Sequence, residues 1–124
     1  MKITVRIGIL TMEAELNDSP TARKIATALP IQARFNTWGE EIYFAIPVIA
    51  DLDDSARDVV EIGDLGFWPP GKAFCIFFGP TPMSKPGEIR PASAVNIVGQ
   101  VRGDATQFKQ VLREREVTVE VSSR

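Results

Sequence analysis

Histidine is missing altogether from the 124 residues, while cysteine and tyrosine occur once each, at Cys75 and Tyr43. Without imidazole, Ser-His-Asp and Cys-His nucleophilic systems lose their base, and zinc and non-haem iron sites lose their usual ligand. Most hydrolase mechanisms are disfavoured with them. A single cysteine excludes an intramolecular disulfide framework and a multi-cysteine zinc site, and suits a reducing compartment. No metal and no cofactor is expected. An excess of one charge is also lacking: 14 basic residues against 16 acidic ones give a net charge of −2. No global field would draw in nucleic acid or a membrane surface, so neither is expected as a partner. No apolar run approaches a membrane-spanning length, and Met1 leads into the alternating "KITVRIGIL" rather than a signal-type apolar segment. A cytoplasmic location is expected.

One stretch imitates a nucleotide site. "GFWPPGKA", Gly66 to Ala73, has the Gly-x-x-x-x-Gly-Lys spacing of a phosphate-binding loop. Such a loop needs successive backbone N–H groups, a Ser or Thr after the lysine, and a following helix. Pro69 and Pro70 have no N–H, Ala73 replaces the hydroxyl residue, and "AFCIFF" is strand-like. The match is a decoy. The tandem prolines instead stiffen a turn into the next strand, with Trp68 at its start either packing on the core or lining a cleft beside it.

What remains is mainly strand periodicity. Ile3, Val5, Ile7 and Ile9 alternate with polar or small residues, as do Met12, Ala14 and Leu16, predicting two half-buried strands with a turn between Gly8 and Thr11. Ser19-Pro20 reads as an N-cap and first helical residue, with Ala22, Ile25, Ala26 and Leu29 on one helical face up to Pro30. Further strands are expected at "IQARF", "AFCIFFG", "AVNIVGQV" and "EVTVEV", and a second helix over 104–112, opened by Asp104 and Gln107. Many short strands and two helices in one domain of residues 1–124 favour a closed barrel or sandwich over a parallel α/β sheet.

Three segments, "NTWGEEIYF", "GDLGFWPPGKAFCIFFGPTPMS" and "PASAVNIVG", resemble the signature segments of a short single-domain prokaryotic family that is cyclophilin-like in fold. More distantly, "ELNDSPTARKIATAL", "GKAFCIFFG" and "AVNIVGQV" are similar, in order, to elements of true cyclophilins. The resemblance implies a mainly β fold, a closed antiparallel barrel with two capping helices. It also implies a barrel-side cleft for a proline-containing peptide or small ligand. The Phe-His-Arg motif of true cyclophilins has no counterpart in "ARFNTWGEEIYF", where Arg34 is the nearest arginine in chain order. Binding with weak or no prolyl isomerisation is therefore expected, with active isomerisation as the alternative.

The residues available for such a site fall in three places. The first holds Asn36, Trp38, Glu40, Tyr43 and Phe44; Glu40 and Glu41 are adjacent on an extended chain and point to opposite faces, which argues against a cooperating carboxylate pair. The second is Trp68. The third is the loop "GPTPMSKPGEIRPASA", with hydroxyls at Thr81, Ser84 and Ser93, an adaptable apolar contact at Met83 and a planar donor at Arg90. Cys75, alternating within "AFCIFF" without a base, reads as a buried apolar residue, and the acidic "DLDD" as a solvated loop.

Overall fold

The alternation in the first sixteen residues becomes a β-hairpin. In a computed structural model that describes residues 1–123, β1 (Lys2–Ile7) and β2 (Leu10–Leu16) pair antiparallel from Lys2↔Glu15 to Ile7↔Leu10. The two-residue connection is Gly8-Ile9, with Gly8 at φ 57°, the position where tight hairpin turns take glycine. Ile9 therefore sits on the turn, fully exposed, and does not continue the buried row of Ile3, Val5 and Ile7.

After it come α1 (Pro20–Ala28), β3 (Ile31–Arg34), β4 (Asn36–Thr37), β5 (Glu41–Ala45), β6 (Ala56–Arg57), β7 (Asp64–Trp68), β8 (Ala73–Phe77), β9 (Val95–Val101) and β10 (Glu116–Val121). The sheet runs β3-β10-β1-β2-β9-β7-β8-β5-β4, with β6 beside β9, and its pairings are antiparallel. The two ends of that order, β3 and β4, are consecutive in the chain and separated by Phe35 alone. Phe35 is buried, and its N–H bonds the Arg115 carbonyl at 3.0 Å. The result is a nearly closed antiparallel barrel.

Ile3, Val5, Ile42, Phe44, Leu65, Phe67, Phe74, Val98, Val117 and Val119 fill the inside. α1 closes one opening with Ala22 and Ile25; Ser19 caps it by accepting the Ala22 N–H at 3.3 Å, and Pro20 opens its first turn. The second helix, Ala105–Val111, is of the tighter 3-10 type and inserts Phe108 beside Phe78, ring centroids 6.1 Å apart. Asp104 caps it through the Thr106 N–H rather than by a reciprocal bond from Gln107. Among the described residues no helix is long and apolar enough to cross a membrane.

A second apolar cluster lies on the outer face of β8 and its neighbours: Val60, Ala73, Cys75, Phe77, Ile89 and Val95. It is covered by the 80–93 loop, held by a bridge between Val60 and Ile89. β8 is consequently buried on both faces, and its sequence shows no polar alternation. The "DLDD" segment is not simply solvated. Asp53 accepts the Thr21 hydroxyl at 2.9 Å, Asn96 donates to Thr21 and to the Asp51 carbonyl at 2.9 Å each, and the fully buried Asn96 ties α1 to β9.

Gly99 marks a close crossing of β9 and β2: a Cβ there would stand 2.2 Å from the Glu15 carbonyl oxygen. Backbone must move to admit it. Gly99→Ala should lower stability by about 1–3 kcal/mol, as overpacking in a tight core does, read from the urea midpoint; an unchanged midpoint would contradict this crossing.

Candidate ligand-binding cleft

The site begins at the β4–β5 hairpin. Asn36 pairs with Tyr43 and Thr37 with Ile42, and the Trp38 N–H bonds the Glu41 carbonyl at 3.0 Å, leaving Gly39-Glu40 as a two-residue turn with Gly39 at φ 59°. Cross-strand partners and residues two apart share a face, so Trp38, Glu41 and Tyr43 stand together on the outside of the barrel. Ile42 and Phe44, of opposite parity, point inward; Phe44 stacks on Phe74 with centroids 5.3 Å apart. The hairpin is fastened to the exit of β8 by bonds from the Phe78 N–H to the Glu40 carbonyl and from the Glu40 N–H to the Pro80 carbonyl, 3.0 and 2.9 Å.

Trp68 ends β7, two strands away across β8. Pro69–Gly71 then form one 3-10 turn, with Lys72 left-handed at φ 47°. The indole lies against Gly71, where an added Cβ would meet the ring at 2.8 Å, and its Nε1–H donates to the Ser93 hydroxyl at 2.7 Å. That bond links the turn to the long loop.

The loop is latched from within. Ser84 Oγ accepts the N–H groups of Thr81 and Arg90, both at 2.9 Å, and the Thr81 hydroxyl donates to the Arg90 carbonyl. Pro91 and Ala92 are thereby set against Trp68. Trp38, Glu41, Tyr43, Trp68, Pro91, Ala92 and Val95 line one open cleft of about 270 Å³.

Glu41 is the one carboxyl in this lining, and its residue is 6% exposed. Burial pushes it up to about 7, with the neighbouring Cys75 thiol offsetting part of the rise. The thiol is itself driven well above its ordinary range, first by its complete burial and then by the charge of Glu41. Near neutral pH the cleft floor thus holds a carboxyl poised between acid and anion.

The sequence-predicted residues divide accordingly. Trp38, Tyr43 and Trp68 line the cleft, and Ser93 braces Trp68. Asn36 shares a sheet face with Tyr43 but is outside the lining. Phe44 is in the barrel core. Thr81 and Ser84 spend their hydroxyls on the loop latch, Met83 is exposed away from the lining, and Arg90 closes on Glu88 at 2.7 Å. Glu40 faces away and pairs with Lys109 at 3.1 Å. Its neighbour Glu41 is the carboxyl that sequence reasoning passed over; the Gly39-Glu40 hairpin parity, once fixed, puts it beside Trp38. The phosphate-loop imitation is dismantled: Gly66 is inside β7, and the lysine leads into β8.

A sequence description of the cyclophilin-like family matches residues 1–120, and the chain belongs to that family. A hypothetical protein from Archaeoglobus fulgidus, known by a solution structure, is 42% identical and superposes with a TM-score of 0.81, over 98% of this chain and 95% of its own. No curated protein matches the sequence.

Two outcomes follow from this geometry. Ser84→Ala strips the acceptor from two N–H groups and should cost about 1–3 kcal/mol, whereas Ser93→Ala, at an exposed bond, should cost less than about 1 kcal/mol; urea denaturation of both distinguishes a latch from a surface contact. For Glu41 the folded value lies above the ordinary 4.5, so between about 4.5 and 7 the native state keeps a proton that the unfolded chain has released. Its contribution favours the fold at low pH and is lost as pH rises to 7, by about 3 kcal/mol in total. Glu41→Gln lacks this loss, so its stability relative to the unmodified protein should climb from pH 5 to 8. A constant difference across that window would remove the assignment.

Proposed function

We propose that this chain is a binding protein whose barrel-side cleft holds a compact apolar group, the ring of a proline-containing peptide or a small ligand of similar size, without efficient prolyl isomerisation. The observation that carries this reading is the lining itself. Two indoles, a phenol ring, Pro91, Ala92 and Val95 surround a volume suited to a ring rather than to a drug-sized ligand.

The same lining argues against turnover. Rotation about an X–Pro bond must overcome about 18–20 kcal/mol, and a site lowers it by presenting a fixed donor to the pyramidalising nitrogen. None of the lining residues is an arginine or lysine. Arg34 lies on β3 in register with Glu116 and is not among the residues that line the cleft, and Arg90 is closed on Glu88.

Titration of an Ala-Pro peptide followed by tryptophan fluorescence should show saturable binding that weakens at least about tenfold in Trp38→Ala and Trp68→Ala, a loss of 1.4 kcal/mol or more. A protease-coupled assay on the same peptide should run near the spontaneous rate, unaffected by Arg34→Ala or Arg90→Ala. Robust isomerisation abolished by either arginine substitution would reinstate the isomerase.

A further inference from the structure

Resting on the cleft reading above, we propose that the occupant carries a positive charge: the cleft is a receptor for a small organic ammonium ion, held by Trp38, Tyr43 and Trp68 and countered by Glu41. The four side chains belong to one lining, and they are the parts such a ligand requires. Indole and phenol faces are electron-rich and attract a cation, most strongly where water is excluded. A quaternary or ring ammonium also presents carbon to its surroundings, which suits the apolar remainder of the wall, Pro91, Ala92 and Val95.

The second observation is the carboxyl. Glu41 is more than nine-tenths buried, yet among the described residues no cation and no backbone N–H offsets it; the Cys75 thiol is the one group that eases its burial. A buried carboxylate without a counter-ion is costly, and the group raises its affinity for a proton instead. An ammonium ion entering the cleft would supply the missing charge. A purely structural position opposite Phe77, beneath Trp38, would be served better by an apolar side chain of similar volume.

The charges around Glu41 leave it free for that role. On its own strand the titratable side chain of the same face is Tyr43, and on β8 it is Cys75. β7 contributes Trp68 and the loop contributes Pro91 and Ala92, while the loop's Arg90 is neutralised by Glu88 and the hairpin's Glu40 by Lys109. Cation binding therefore competes with the proton on Glu41. Affinity should rise about tenfold per pH unit up to about 7 and level off above it.

Choline and its neutral isostere 3,3-dimethylbutan-1-ol separate charge from shape. At pH 7.5 choline should shift the indole N–H resonances of Trp38 and Trp68, with at least tenfold higher affinity than the alcohol. In Glu41→Gln the preference for choline over the alcohol should shrink at least severalfold, to what the aromatic faces alone supply, and choline binding should lose its pH dependence. Equal affinity of choline and the alcohol for the unmodified protein overturns the proposal while leaving a cleft for apolar groups intact, as does unchanged choline affinity in Glu41→Gln. Failure of choline, the alcohol and the Ala-Pro peptide alike to move either indole overturns both readings.

Discussion

The barrel is shut by the chain itself, because the first and last strands of the sheet order are joined through Phe35. β3 must satisfy its register with β10 while β4, one residue later, satisfies its register with β5. A one-residue slip anywhere would turn every side chain of a strand to the other face, and with the two ends of the sheet order tied by a single residue there is little room to absorb one. Inside and outside are therefore fixed for every strand. That assignment, and no local property of the residue, sends Ile42 into the core and Glu41 into the cleft.

The outer face of β8 sets the second level of organisation. Burying Val60, Phe77, Ile89 and Val95 contributes about 1.5–3 kcal/mol per side chain, but it requires ordering a long loop at about 1–2 kcal/mol of backbone entropy per residue. Pro80, Pro82, Pro86 and Pro91 reduce what the unfolded loop has to lose. The Ser84 latch supplies donors and acceptors where the loop has no strand partner. A ligand wall made from such a loop is rigid before anything binds, which lowers the entropy lost on association.

Much of the fold was legible in the sequence. The β1–β2 alternation, the Ser19-Pro20 helix start and the "EVTVEV" strand follow from periodicity and caps, "AFCIFFG" follows from its continuous apolar, aromatic run, and the family resemblance supplied the barrel. β7 was not legible, because "DLGFW" is buried on both faces and carries no period-two signal. Of the cleft, Trp38, Tyr43 and Trp68 could be named as aromatic anchors, but the choice between Glu40 and Glu41 depended on which residues form the hairpin turn. Arg90, Thr81 and Ser84 look like ligand groups in a sequence because hydroxyls and guanidinium groups serve loops and ligands equally. Their partners Glu88 and the backbone of the same loop decide between the two.

Cys75 lies beneath this cleft, fully enclosed, with Glu41 holding its thiol further from ionisation. Thiol exchange and oxidation both begin with an accessible thiolate, and neither condition is met. The fold thus has no redox-labile covalent chemistry at its single sulfhydryl, and glutathione or peroxide should leave it unchanged as long as the barrel is closed. Labelling by a thiol reagent becomes a clock for opening of the β5–β8 wall, with Cys75 reporting each time the floor of the cleft comes apart.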